Sequence, residues 1–317
     1  MVQSEVKELD ERIAIIDGMD LNRPGRTGIY VIREPELTLV ESGPSLSVPY
    51  VLAGLKRLNL DPKQVRYIIV THIHLDHAGG AGLLLQSCPN AKVVVHPRGA
   101  RHLADPSRLI AGARLVYGEQ FDSLFDPVVP IPEERLLVKG EGDQLPIGPN
   151  CTLSFMDTPG HAAHHLSFYD PVSKGIFTGD TAGIRFSEVD WQFVIPSTSP
   201  NQFDPEAALK SIARYRQLKP ERIYFGHYSM TTEVEDALNQ VSSWLPRFVE
   251  AGKEALAAGE GEKGTMDRLV KMTSEVLSRN GISKDHPIYE IMLIDLKVSA
   301  MGIVHYLERQ AANKIQE

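Results

Sequence analysis

The segment Thr71-His72-Ile73-His74-Leu75-Asp76-His77-Ala78-Gly79-Gly80 places three histidines and an aspartate in six consecutive residues, directly behind the apolar run 65–70. A β-branched run such as Tyr67-Ile68-Ile69-Val70-Thr71 reads as a buried strand, so the polar cluster sits on the loop at that strand's end. Imidazole and carboxylate are the ligand types that suit zinc and its first-row neighbours. With only 11 histidines in 317 residues, three in so short a window behind an apolar strand mark a metal site and not a solvated face.

Up to about residue 233 the chain alternates short β-branched runs with helical patterns, which predicts an α/β domain. Strands are expected at 13–17, 28–32, 37–41, 65–71, 92–96, 152–157, 166–169, 175–178 and 222–225. Helical spacing occupies 47–58 and 80–86. Asp204-Pro205-Glu206 opens a further helix with an N-cap, a first-turn proline and an early acid, and this helix runs to about 218. Residues 105–149, rich in proline and glycine around a short aromatic helix at 119–125, read as a long surface excursion beside the site. Beyond 233 the strand signal stops. Leu238, Val241, Leu245 and Phe248 repeat at helical spacing, a glycine-rich break follows at 259–264, and two more helical stretches complete the chain. The expected division is a catalytic domain at 1–233 and a helical C-terminal subdomain at 234–317.

A two-metal site needs about seven ligating positions, and the opening motif supplies four. Three other places have the right form: Thr158-Pro159-Gly160-His161, Thr178-Gly179-Asp180-Thr181 and Gly226-His227. Each puts one histidine or aspartate behind a glycine at a strand end, where glycine lets the backbone turn sharply and approach a metal closely. Alone each is an ordinary turn; together, in order and each after a strand, they extend the site.

HIHLDH, then TPGH, TGD and GH, resembles the metallo-β-lactamase-fold superfamily over roughly residues 13–227. The resemblance implies an αβ/βα four-layer sandwich of two mixed sheets, with metals at one edge between them. It implies two divalent ions, zinc foremost with iron or manganese as alternatives, held by His72, His74 and His161 on one side and Asp76, His77 and His227 on the other, with Asp180 bridging. Hydrolysis by a metal-bridging hydroxide follows from that pattern, since two cations about 3.5 to 4 Å apart lower the pKa of a shared water toward 7. Asp76 and Asp180 are the expected proton carriers. His165 matches a histidine common in the family's TPGHxxxH stretch and is expected to support the ligands from behind, with His164 as its solvent-facing neighbour. His96 either covers the site or is a partly buried strand terminus. Where many members carry an aspartate in an early Ile-Asp-Thr-Gly turn, this chain has Leu39-Val40-Glu41-Ser42-Gly43, and Glu41 is the residue placed to do that job.

The superfamily's chemistries are diverse, so local features must discriminate among them. Flavodi-iron members typically carry glutamate where this chain has His74, and no flavin-binding pattern follows. Persulfide dioxygenases depart from the full ligand set, and tRNA-processing nucleases carry basic extensions absent here. An ester, thioester or lactone is the expected substrate, with non-hydrolytic di-iron or sulfur redox chemistry, or a metal-containing binding or sensor protein, as the alternatives. Phe186, Trp191, Phe193 and Tyr228 are candidates to line a substrate pocket; the three on the 186–193 loop equally suit packing against the C-terminal helices.

Net charge is −8, with acids and bases mixed and no Lys/Arg-rich run, which disfavours nucleic acid as a partner and favours a small molecule. The charged N-terminus lacks the basic and apolar regions of a signal peptide, so a cytoplasmic location is expected. No run reaches the roughly 20 apolar residues of a membrane span. The nearest, 288–307, is broken by Glu290, Asp295, Lys297 and His305 and reads as a helix whose apolar face buries against the protein's own core or against a second subunit in a homodimer. Cys88 and Cys151 form no CxxC pair and read as buried thiols.

Overall fold

Strands that are apolar along their whole length are stable where both faces of a sheet are covered. The computed structural model, which describes residues 4–316, contains two mixed sheets. In the first, β1 (Val6–Glu8), β2 (Ile13–Asp17), β3 (Gly28–Ile32) and β4 (Thr38–Val40) pair antiparallel. From β4 the sheet continues in parallel through β5 (Tyr67–Ile69), β6 (Lys92–Val95) and β7 (Leu136–Val138). The second sheet is an antiparallel meander of β8 (Gln144–Gly148), β9 (Cys151–Asp157), β10 (Leu166–Asp170) and β11 (Gly175–Gly179). After the short strands β12 (Ile184–Arg185) and β13 (Val194–Ile195), which form their own hairpin, β14 (Arg222–Phe225) joins β11 in parallel, with β15 (Met230–Thr231) at its edge.

The period of two sorts the buried side chains. Ile16, Ile29, Val31, Leu39, Ile68, Val93 and Val95 cluster with Val51 and Leu55 of α1 (Val48–Arg57), Leu84 of α3 (Ala81–Leu84) and Leu103 of α4 (Pro97–Ala104). Between α1 and α3 lies the one-turn helix α2 (Leu75–Ala78), formed by the histidine motif itself. On the opposite face Ile13, Ile15, Tyr30, Ile32, Val40, Ile69 and Val94 meet Leu153, Phe155, Leu166, Phe168, Phe177 and Tyr224 of the second sheet. The Arg12 guanidinium grips Asp170, the last residue of β10, at 2.6–2.7 Å and reaches Cys151 Sγ at 3.3 Å. Both cysteines are buried free thiols.

The chain forms two compact units. The first comprises residues up to 157, 164–179 and 220–232, and so contains both large sheets; the second comprises 158–163, 180–219 and 233 onward. Within the second, α7 (Pro205–Leu218) starts on Asp204, whose side chain accepts the N–H groups of Glu206 and Ala207. The helices α8 (Val234–Ala257), α9 (Gly261–Arg279) and α10 (Ile288–Gln316) follow. Ile288, Met292, Leu296, Ala300 and Ile303, on one face of α10, are buried with Trp244, Leu245 and Phe248 of α8 and Leu269 and Leu277 of α9. No helix of the described residues is long and apolar enough to cross a membrane.

The excursion expected at 105–149 is more ordered than a surface loop. It holds α5 (Ser107–Tyr117) and α6 (Phe121–Phe125), then the edge strand β7 and the strand β8. Tyr117, Phe121 and Phe125 pack with Leu75 of the histidine motif. The strands missing from the sequence reading are short or peripheral: β1 is mostly exposed, and β8 alternates polar and buried residues around Pro146.

Candidate metal centre

Strand β5 ends at Ile69, and the chain leaves it through Thr71 and His72 into α2, with His74 at the N-cap. In the first unit Asp76, His77 and His227 offer ligand atoms that all lie within 4.8 Å of one another. Asp76 Oδ2 is 3.4 Å from His77 Nε2 and 3.9 Å from His227 Nε2. The His72 ring centroid is 4.6 Å from that of His74 and 4.1 Å from that of His77. His72, His77 and His227 are buried, while Asp76 and His74 are partly exposed.

The rings of His72, His77 and His227 each turn Nδ1 toward an oxygen, which leaves Nε2 as the donor atom. Thr71 Oγ1 gives its single proton to Glu41 Oε1, so at 3.1 Å from His72 Nδ1 the same oxygen accepts from the ring. His77 Nδ1 lies 3.4 Å from Glu41 Oε1. His227 Nδ1 lies 3.2 Å from the Arg26 carbonyl, which also accepts the Tyr228 N–H at 2.9 Å. An imidazole whose second nitrogen donates to a carboxylate, hydroxyl or carbonyl is oriented and made more basic for a metal. The donor set of imidazole nitrogen and carboxylate oxygen, buried and oriented in this way, fits a divalent ion of zinc's type.

Glu41 is fully buried and adopts a left-handed backbone, φ +67°. Its carboxylate accepts the Thr71 hydroxyl and, at 3.3 Å, the Thr71 N–H. One acid thus sets the exit of β5 and the ring of His77. Glu41→Ala is expected to weaken zinc affinity by about 10- to 100-fold, the cost of losing an outer-shell partner. Competition with a chromophoric chelator checks this, and an unchanged affinity contradicts it.

Behind the Arg26 carbonyl is a second buried acid. Asp20 Oδ2 lies 3.2 Å from Arg26 Nε and accepts Thr27 Oγ1 at 3.2 Å. Burial raises its pKa against the opposing pull of Arg26. Neither Asp20 nor Arg26 belongs to a motif, so sequence spacing gave no sign of them.

His161 and Asp180 belong to the second unit and are brought together there. His161 Nε2 is 3.7 Å from Asp180 Oδ2, and its Nδ1 is 3.0 Å from the Ser197 carbonyl. Ser197 Oγ donates to Asp180 Oδ2 at 3.1 Å. Ser197 thus holds both residues, and it too lies outside any motif. In the first unit Gly179, φ +47°, admits no side chain: a Cβ would sit 2.5 Å from both His165 Nε2 and Thr71 Oγ1. That contact accounts for the glycine in the TGD motif.

His165 is buried and stacks on His72 with centroids 5.2 Å apart. His164 corrects the expectation of a solvent-facing residue. It is 5% exposed, its Nδ1 faces the Ile73 N–H at 3.5 Å, and its ring meets His74 edge-on at 5.5 Å. Two adjacent histidines are both buried because 164 and 165 precede β10 in a turn, where neighbouring side chains need not alternate. His96 caps α4, its Nδ1 accepting the Arg98 N–H. Phe186 and Phe193 are buried in the apolar cluster of the second unit and Trp191 packs at its edge. Tyr228 packs against the core between the sheets, and burial, with Asp17 and Glu5, pushes its phenol up to about 12.

Comparison with known proteins agrees with the fold. The family model described as metallo-beta-lactamase superfamily matches residues 23–227. The metallo-beta-lactamase fold-containing protein ST1585 of Sulfurisphaera tokodaii is 29% identical over 68% of this chain and 78% of its own length. An N-acyl homoserine lactonase of Bacillus thuringiensis is 28% identical over 55% of this chain and 60% of its own. Diflavin flavoprotein A 1 of Synechocystis is 24% identical over 81% of this chain, which spans 43% of that longer protein. Among solved structures, ST1585 aligns with TM-score 0.61 at 26% identity, covering 73% of this chain and 86% of that one. The metallo-beta-lactamase family protein TTHA1429 from Thermus thermophilus aligns with TM-score 0.65 at 19% identity over 96% of both chains, C-terminal helices included. TTHA1623 in a di-iron-bound form aligns with TM-score 0.50 at 27% identity, covering 69% of this chain and 93% of its own. The chain belongs to the metallo-β-lactamase superfamily.

Proposed function

We propose that this protein is a dinuclear metal-dependent hydrolase of a carboxylic-acid derivative: an ester, thioester or lactone. The observation that carries the reading is the oriented set of imidazoles: His72, His161 and His227 are bonded through Nδ1, and His77 Nδ1 faces the Glu41 carboxylate at 3.4 Å, so that each presents Nε2. His72, His74 and His161 would hold one ion and Asp76, His77 and His227 the other, with Asp180 between them. Bound divalent ions of this kind supply Lewis acidity and acidify water toward neutral pH. The chain's own part is orientation and proton handling. Asp76, partly exposed beside two imidazoles, is placed to take up a proton and pass it to the leaving group, and Asp180, held by Ser197, keeps a fixed carboxylate geometry.

The similarity to a lactonase supports the substrate class, and His74, standing where flavodi-iron members typically carry glutamate, supports hydrolysis over oxygen chemistry. Zinc is the proposed metal. The second reading, a non-hydrolytic di-iron protein, is favoured by the likeness to a diflavin flavoprotein and to a di-iron-bound structure. A panel of thioesters, lactones, β-lactams and phosphodiesters, assayed with zinc-loaded and iron-loaded protein, tests the choice. The expected result is one preferred acyl class turned over by the zinc form. Iron retained from expression with no hydrolysis of any substrate would overturn it.

A further inference from the structure

The second unit contains a chain of contacts from its last helix to the residues proposed as ligands. Thr198 Oγ1 donates to the Ser299 carbonyl of α10 at 2.9 Å, and the Thr198 N–H points at Ser299 Oγ at 3.5 Å. One turn further along α10, Gly302 has no room for a side chain, since a Cβ there would stand 2.1 Å from the Thr198 carbonyl oxygen and 2.7 Å from Ser199 backbone. Arg309 of the same helix donates to the carbonyls of Asn201 and Phe203 at 2.9 and 3.0 Å. The segment 198–203 is therefore clamped along α10 at three levels.

The other side of that segment is bonded to the site. Ser197 accepts from His161 Nδ1 through its carbonyl and donates to Asp180 through its hydroxyl. Ser199 Oγ donates to the His161 carbonyl at 3.1 Å, and the Asp204 N–H donates to the Gly160 carbonyl at 2.8 Å. Thr198, Ser199 and Ser299 are all buried.

We propose that α10 is a positioning element of the metal site: Ser299 and Gly302 fix Thr198, and so hold Ser197 where it orients His161 Nε2 and the Asp180 carboxylate. The C-terminal helices thereby gain a role distinct from gripping substrate or a partner. A ligand pair must be held to within about 0.5 Å to keep its affinity, and residues that lock it are worth about 10- to 100-fold in metal binding. Thr198 and Gly302 are positioning residues that touch neither metal nor substrate. This inference rests on the ligand roles proposed above for His161 and Asp180.

The test compares zinc affinity by chelator competition, and the visible spectrum of the cobalt-loaded form, across variants of the full chain. Thr198→Val is expected to lose about 10- to 100-fold in affinity and shift the cobalt bands, whereas Thr198→Ser, which keeps the hydroxyl, restores both. Gly302→Ala is expected to lose at least as much. Gly252→Ala is the control: the three atoms nearest its Cβ would be side-chain atoms of Ile303 and Leu307, so its strain falls on α8–α10 side-chain packing and not on the Thr198 backbone. That variant is expected to melt earlier and bind zinc as the parent does. Should Gly302→Ala fail to fold, the Thr198 pair decides alone. Folded Thr198→Val with parental affinity and spectrum overturns the positioning role while leaving the ligand reading intact; a parent chain that binds no zinc or cobalt overturns both.

Discussion

Asp76→Asn is expected to cut hydrolysis of the preferred ester or lactone by about 10³-fold or more while the protein stays folded. Asp76 Oδ2 lies near both His77 Nε2 and His227 Nε2, and its partial exposure lets it exchange protons with solvent. The amide preserves size but neither holds a cation as well nor carries a proton. Water that is not acidified has a pKa of about 15.7 instead of about 7, which is why the loss runs to orders of magnitude. Steady-state rates at saturating zinc, with melting curves beside them, give the comparison. Parental turnover and metal content in the variant would remove Asp76 from the mechanism.

Asp170→Ala is expected to be strongly destabilising although it lies outside the site. Asp170 is fully buried at the end of β10 and accepts both terminal nitrogens of Arg12, the Ser173 hydroxyl and the Val172 N–H. Removing it leaves Arg12, at a side-chain exposure of 16%, with Glu34 and the Cys151 thiol. Breaking a buried pair by deleting one partner costs about 3–5 kcal/mol when the other charge is left uncompensated; Glu34, 2.8 Å from Arg12 Nε, remains as a partner, so the loss is expected at the lower end of that range. The midpoint of urea unfolding should fall accordingly, and Asp170→Ala combined with Arg12→Met should recover part of the loss. A single variant within about 0.5 kcal/mol of the parent would show that the pair is not a stability element.

Most of the frame was legible because the inner strands are short runs rich in β-branched and aromatic residues and the candidate ligands follow such strands. The run 222–225 was read with its true ends, as were 13–17 and 28–32. Two edge strands escaped: β1 carries Lys7 and Glu8, and β7 is apolar but only three residues long. The motif histidines and aspartates stood out by spacing. What supports them did not: Ser197, Arg26 and Asp20 act through a carbonyl, a hydroxyl and a carboxylate brought close by the fold, and no local pattern marks such groups. Glu41 was half visible, as the acid standing where relatives carry aspartate, and its left-handed backbone and contacts with Thr71 and His77 give that position a physical role. The burial of His164 has no local sequence signal, because it lies in a turn, where side-chain direction follows the fold and not a strand or helix period.

Two metal ions bound by one chain, and hydrolysis carried out through them, are the core of the proposed activity. Metal analysis of zinc-loaded protein after exhaustive dialysis, with the hydrolysis rate followed as metal is stripped by chelator and returned, tests this most directly. Two equivalents of zinc per chain, activity lost with the metal and regained on its return, is the predicted result. A folded chain that takes up no metal, or one that hydrolyses the same substrate at the same rate when metal-free, would contradict it.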